Sequence, residues 1–432
     1  MQVRHGCRAL AATVLTGAML VVGLVTTTGG AGAAASTGSA PGVTSNSITV
    51  GTISTQTGTL AANFSSLIYG EKAYYAYINA QGGVNGRKIN YKYALDDGGN
   101  PTTFNQLANT LINQDHVFAV TGVATAFFSP NLFVESEIPT YGYNVTGNWA
   151  GPPNLFAAGG SVEYYPAGAP EDAYVSRQTK SPSIAFMAYG IAASAAACQS
   201  EQNALTAGGY KVSYSDLKVA YPGSTVATDV QRMRQAGSNM VISCMDVQGN
   251  VSMARAIKQY GLKMTQLWFS GNDQSTLDQN QSLMQGVYFG IAHVPFTAPQ
   301  STYPGLKLYV TQMKKYEPKY VNSEIAIQGW ESAALFVQGV KMAGNNLTQA
   351  NVINEDNSLT SFTAGGLTSP TNWKSAGHSG HAPPYCTAYI KVSGDQYVPT
   401  LNKGKNVFNC FESTNVHKDP VFPLPPGTPA PA

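Results

Sequence analysis

Apolar residues along this chain switch between two periods, and each switch predicts an element. Residues 48–53, Ile-Thr-Val-Gly-Thr-Ile, read as a short strand that runs into a Ser/Thr/Gly loop at 54–58. Leu67, Gly70, Tyr74 and Ile78 then recur at helical spacing, and Gly82-Gly83 supplies the left-handed stop that ends a helix. In Val84-Asn85-Gly86-Arg87 the Asn-Gly pair tolerates positive φ and makes a turn, after which Ile89, Tyr91, Tyr93 and Leu95 alternate as a strand does. Asp96-Asp97-Gly98-Gly99-Asn100-Pro101 ends that strand, with the aspartates expected to cap a following helix whose apolar face is Phe104, Leu107 and Leu111. A third strand, 116–121, breaks at Gly122. Strand, helix, strand, helix, strand implies a parallel sheet with right-handed crossovers.

The pattern then restarts. A strand is predicted at 183–189, a helix at 193–207 closed by Gly208-Gly209, and extended chain at 211–214 and near Val219. Val226, Val230 and Met233 mark a helix, 240–245 a strand, 250–260 a helix closed by Gly261, and 266–269 another strand. Two similar α/β units therefore share one chain. Long helices follow at 306–316, 324–343 and 348–359, then two antiparallel strands, 386–392 and 396–401, around Gly394.

Composition sharpens this picture. The chain has 432 residues and 43% hydrophobic content, enough for two cores, yet only 11% of it is charged, so its surface is polar but largely uncharged. Residues 1–35 combine a basic start (Arg4, Arg8), an apolar run at 9–25 and small residues at 31–35, the layout of a secretory leader cleaved near Ala33-Ala35. The run is shorter than the roughly 20 residues that span a bilayer, and Thr13, Thr16 and Gly17 interrupt it. Cys7 precedes the run and no cysteine follows it directly, so an anchor attached at cysteine is not indicated. Removal of Arg4 and Arg8, with no acid, brings the net charge from +2 to zero. Without a basic stripe, nucleic acid lacks the electrostatic term that dominates its binding.

Four cysteines remain: Cys198, Cys244, Cys386 and Cys410. An even count in an exported chain reads as two disulfides with three pairings open. Cys198–Cys244 with Cys386–Cys410 is favoured because each pair then closes one compact region.

The strand at 48–53, Thr57-Gly58, the stretch INAQGGVNGRKI, Asp96-Asp97 with Pro101, and the strand leading to Thr121-Gly122 together resemble the type I periplasmic solute-binding proteins, the branched-chain amino acid and amide class that serves ABC importers. The resemblance covers about residues 47–412. It implies an α/β fold of two Rossmann-like lobes joined by three crossovers: 47–160 and 293–370 in lobe 1, 161–292 and 371–412 in lobe 2. Beyond it, proline-rich composition predicts a disordered tail at 413–432. The resemblance also implies a binding protein, not an enzyme, that is monomeric, extracytoplasmic, free of cofactor and metal, and that passes a small-molecule ligand to ABC importer membrane subunits. In open parallel sheets ligands sit beyond the carboxyl ends of the strands. Three loops of the first lobe, 57–64, 123–127 and 143–146, would face that cleft, with Asn63, Phe64, Thr125, Ala126, Asn144 and Thr146 as the candidate contacts. In the second lobe, family positions for a Tyr-Gly pair, an aromatic and an acid match Ala193-Ser194, Asp246 and Ser270. Asp246 and Glu163 are the candidates for the missing negative charge, and Tyr143, Tyr164, Tyr165 and Tyr189 for aromatic walls.

Three other readings compete. An enzyme finds no G-x-S-x-G, P-loop or G-x-G-x-x-G in the sequence. A zinc site could be assembled from His378, His381, Cys386 and Cys410, but an oxidising compartment would pair those cysteines. A sensing or scavenging binding protein that works with a separate receptor keeps the fold and changes the partner.

Overall fold

The computed structural model describes residues 40–160, 169–374, 378, 385–402 and 406–421. The expected leader at 1–35, Glu163, Tyr164, Tyr165 and His381 lie outside the described residues. The first run of elements is β1 (Ser47–Ser54), α1 (Leu67–Ala80), β2 (Lys88–Asp96), α2 (Pro101–Asn113), β3 (Ala119–Val123), α3 (Asn131–Glu135), β4 (Thr140–Gly142) and β5 (Leu155–Ala157). Its strands form an all-parallel sheet in the order β2-β1-β3-β4-β5. Every residue of β3, β4 and β5 is buried, as expected where helices cover both faces of a parallel sheet.

A second run follows: α4 (Ala169–Thr179), β6 (Ser183–Tyr189), α5 (Ala192–Ala207), β7 (Lys211–Val219), α6 (Val226–Gln235), β8 (Met240–Ser243), α7 (Val247–Gln259), β9 (Thr265–Trp268), α8 (Gln274–Met284) and β10 (Tyr288–Ile291). The chain then makes α9 (Pro304–Tyr316), α10 (Glu324–Ala343) and α11 (Gln349–Ser358), and ends in β11 (Tyr385–Ser393), β12 (Gln396–Thr400) and β13 (Phe408–Phe411). The second sheet runs β12-β11-β10-β9-β8-β6-β7, with β13 on β11; β6 to β10 are parallel, and β11 to β13 pair antiparallel. Chain order thus carries the backbone between the sheets three times: after β5, after β10 and after α11.

Why α9 to α11 return to the first lobe is visible in their packing. Gly70 of α1 and Gly329 of α10 face each other so closely that a Cβ on Gly70 would lie 1.7 Å from the Ala326 carbonyl oxygen, and one on Gly329 2.0 Å from that of Leu67. Only glycine lets the two helix backbones touch there. Further bonds reinforce the crossing: Asn85 Nδ2 donates to the Val340 carbonyl (2.9 Å), Gln349 Nε2 to that of Phe118 (2.9 Å), and Tyr141 Oη to Asp356 Oδ2 (2.6 Å). The turn after α1 behaves as its sequence predicts, with Gly82, Gly83, Asn85 and Gly86 all at positive φ.

Two sequence expectations are corrected. The aspartates do not cap α2: Asn100 does, accepting from the amides of Thr102 and Thr103 with Pro101 in the first turn. Residues 413–421 are not loose, because Arg177 donates to the carbonyls of Val416 and Lys418 and to Asp419 Oδ1 (3.0 Å), and Val416 is buried. Both disulfides are present: Cys198 of α5 to Cys244 beyond β8, and Cys386 to Cys410, which face each other across β11 and β13.

Among the described residues several carboxyls are buried without a cation. Glu331 on α10 accepts, among the described residues, only the Gly159 amide (2.8 Å), and burial pushes it up from an ordinary value near 4.5 to about 7.

Two outcomes are expected. Gly70→Ala or Gly329→Ala should each lower unfolding free energy by about 3 kcal/mol through forced separation of α1 and α10, read by urea denaturation. A carboxyl whose folded pKa is raised contributes stability that is present below its unfolded pKa and lost as pH rises through the folded one. Glu331 should therefore remove up to about 3 kcal/mol between pH 4.5 and 7, and Glu331→Gln should flatten that part of the stability profile.

Candidate ligand-binding site

At the carboxyl ends of the first-lobe strands, Asp96 and Asp97 organise the loops. Asp96 Oδ1 accepts from the amides of Gln56 (2.8 Å), Thr57 (3.3 Å) and Gly98 (2.8 Å), and its Oδ2 from Thr57 Oγ1 (2.6 Å). Partial burial opposes its charge, but these bonds outweigh that and hold the carboxyl below its usual range. Asp97 Oδ1 accepts from Thr55 Oγ1 (2.7 Å) and the Gly99 amide (2.8 Å). Thr55 Oγ1 also bonds Thr125 Oγ1 (3.2 Å), which in turn accepts the Phe127 amide (3.2 Å). The acidic pair thus ties the loop after β2 to the loop after β1, and Thr55 carries the link on to the loop after β3.

Between the lobes lies a cavity of about 400 Å³. Of the residues expected at the ligand, Asn63, Phe64, Ala126, Asn144, Asp246 and Ser270 line it. Thr125 does not, since it is buried in the bonds just described. Thr146 does not either; it follows the wall residues Tyr143, Asn144 and Val145, and its Oγ1 is buried without a hydrogen-bond partner among the described residues. Tyr143 and Tyr189 are on the wall as expected.

Asp246 is placed by the end of β8 and does three jobs. As the N-cap of α7 its Oδ1 accepts the amides of Gln248 (3.0 Å) and Gly249 (3.1 Å), and it also accepts Tyr189 Oη (2.6 Å). Its Oδ2 takes Asn63 Nδ2 from the opposite lobe at 3.2 Å. A second bond crosses the mouth nearby, from Tyr221 Oη to the Thr59 carbonyl (3.1 Å). The carboxylate is therefore engaged with protein donors and serves as a contact between lobes. Ser194 is engaged too, donating to the Cys244 carbonyl (2.7 Å) and accepting the Tyr189 amide (2.9 Å).

The remaining wall is mainly apolar: Leu60, Ile191, Met245, Ile325 and two aromatics that sequence reasoning missed, Tyr221 and Phe269. Phe269 is the more telling, because it is 39% exposed where large apolar side chains are normally covered. No periodicity distinguishes such a residue, which sits at the first position beyond β9. In this arrangement the proposed zinc ligands lose their thiolates to the Cys386–Cys410 bridge, and His378 bonds Asn357 and packs on Phe156 and Trp373. Among the described residues no helix is long and apolar enough to cross a membrane.

Comparison with known proteins agrees with this fold. A family model for periplasmic binding proteins matches residues 47–395. Among solved structures, a fatty acid ABC transporter substrate-binding protein from Thermomonospora curvata is similar at 19% identity over 87% of this chain and 95% of its own, TM-score 0.71. A branched chain amino acid ABC transporter protein from Thermus thermophilus with bound valine is similar at 17% identity, over 86% and 98%, TM-score 0.70. A solute binding protein from R. palustris in complex with benzoate is similar at 16%, over 82% and 95%, TM-score 0.63. A comparison with curated protein sequences finds no match.

Removing the Asp246 carboxylate should be felt as lost structure. Asp246→Ala is expected to cost about 1–2 kcal/mol in chemical denaturation, the usual loss for a helix cap, and Asp246→Asn, which keeps an acceptor, should recover most of it.

Proposed function

Because the chain belongs to the periplasmic binding protein family, a family of solute-binding proteins and not of enzymes, we propose that it captures a small, largely apolar solute between its lobes and delivers it to the membrane subunits of an ABC importer. The supporting observation is the cavity itself, which lies where the strand ends of both sheets converge and is walled by Phe64, Tyr143, Tyr189, Tyr221 and Phe269. Aromatic walls of this kind favour aliphatic or aromatic bodies. Among the aromatic walls, the neutral polar groups Asn63, Asn144 and Ser270 would orient the ligand's body, while the same cavity also reaches the carboxyls of Glu171, Asp172 and Glu201. Family membership implies an extracytoplasmic site of action, and export would rest on cleavage of the leader at 1–35.

Capture would work as a hinge. Ligand binding shifts an open–closed equilibrium only as far as the ligand prefers the closed form. The bonds Asn63–Asp246 and Tyr221–Thr59 would form on closure and join the energy of the ligand's own contacts.

The test is thermal unfolding of refolded, ligand-free protein against fatty acids, aromatic acids, amino acids, amines and neutral analogues. Ligand at a hundredfold above its dissociation constant adds about 2.7 kcal/mol, a clear rise in melting temperature. Small-angle scattering with the best ligand should show a smaller radius of gyration. Asn63→Ala, which removes one charge-assisted bond across the mouth, should weaken that ligand roughly tenfold while leaving the melting temperature of the free protein unchanged. Scattering that does not change on saturation would argue against the hinge.

A further inference from the structure

The cavity does not stop at the cleft. It continues into the second lobe as an arm between the sheet and the helices α4 and α5, with Leu267, Gly290, Thr387 and Tyr389 on the sheet side and Ala193, Ala197 and Glu201 on the helix side. The last three are spaced four apart, so they form one stripe along α5: two small residues that leave room, then an acid. Gly290 lies in β10, flanked by β9 and β11, yet it is exposed, and its exposed surface belongs to the cavity it lines. A bare glycine within a central strand is a place where a ligand can approach the backbone closely.

Three carboxyls line the arm: Glu171 and Asp172 from the first turn of α4, and Glu201 from α5. Asp172 is 3% exposed and Glu201 9%, and Asp172 Oδ2 and Glu201 Oε2 have no hydrogen-bond partner among the described residues. Both side chains meet the cavity. The ion pairs among the described residues, Arg177–Asp419 and Arg232–Asp229, involve none of the three. Burial raises all three above the ordinary carboxylate range, and the neighbouring acids push Glu171 and Glu201 further in the same direction. Burying unpartnered acids is costly unless something supplies donors or positive charge. No cluster of three or more His, Cys, Asp or Glu among the described residues is arranged to hold a metal ion. A carboxylate only accepts hydrogen bonds, and an ammonium group only donates them, so the two satisfy each other.

We infer that the arm lined by Glu171, Asp172 and Glu201 receives the positively charged nitrogen of an amphipathic organic amine, whose apolar body occupies the aromatic-walled cleft. This rests on the reading of the cleft as a solute site and narrows its ligand class. Asp246, by contrast, is engaged with protein donors, so the acids of the arm are the ones with acceptor capacity left for an amine.

The experiment compares matched probes on the mature, disulfide-bonded protein by calorimetry: hexylamine and phenethylamine against hexanol, 2-phenylethanol and hexanoate. The amines should bind at least about tenfold more tightly than their uncharged partners. Asp172→Asn with Glu201→Gln should abolish that preference, and the free variant should melt at the same temperature or higher at pH 8 because two buried acids are gone. Should the double variant fail to fold, Ala197→Leu fills the arm from α5 without touching charge, and should cut amine binding equally. Preference for hexanol or hexanoate overturns the amine assignment while leaving solute capture intact. Amine binding that ignores these substitutions, or stabilisation by calcium alone, also overturns it. Silence from every probe would count against the cleft reading as well.

Discussion

The contact at Gly70 and Gly329 governs the architecture. Helix backbones that touch at a pair of glycines must share one orientation, so α10 is docked on α1 and carries α9 and α11 with it. Because α10 follows β10 in the second sheet, this docking obliges the chain to leave that lobe, return to the first, and leave again for β11. A protein built of two consecutive domains would have a single linker and no enforced cleft. Here the return passage sets the two sheets' strand ends against a common space, and the cavity follows from it.

Charge is used sparingly and inward. With 11% of the chain charged, acids are concentrated at structural junctions: Asp96 and Asp97 bind the first-lobe loops, Glu331 holds the Gly159 amide where the chain leaves β5, and Glu71 accepts hydroxyls from Thr52, Tyr91 and Thr121 beneath the first sheet. Glu71 is held up at about 7 by burial despite those three bonds. Such groups act mainly as hydrogen-bond acceptors for backbone and hydroxyl donors, and a long-range field contributes little. A solute with an apolar body therefore meets walls already committed to holding shape.

Much of the frame was legible in the sequence because it rests on periodicity and punctuation. The helices at 306–316, 324–343 and 348–359 differ from α9, α10 and α11 by two residues or fewer at either end, and the strands about Gly394 appear as β11 and β12. Short buried elements were not legible: β4, β5 and β10 have three or four residues each, too few to establish a period. The cleft loops were located, but individual side chains were not. Thr125 and Asp96-Asp97 carry residue types that suit a ligand or a cap, and only tertiary placement shows both bonded to the loop after β1. Glu171, Asp172 and Gly290 escaped for the same reason, since α4 has weak amphipathic patterning and β10 is too short to read. The stripe Ala193, Ala197, Glu201 was the one signal within reach, a run of small residues ending in an acid at helical spacing.

Each disulfide has one half on the cavity wall, Cys244 near the turn into α7 and Cys386 on β11. The two bridges thus border the space that holds the solute, besides closing loops. A chain whose thiols are still reduced lacks these covalent ties on two sides of its interior. Chamber assembly is thereby tied to the compartment in which the protein matures, and a chain held in a reducing one would keep an unfinished interior.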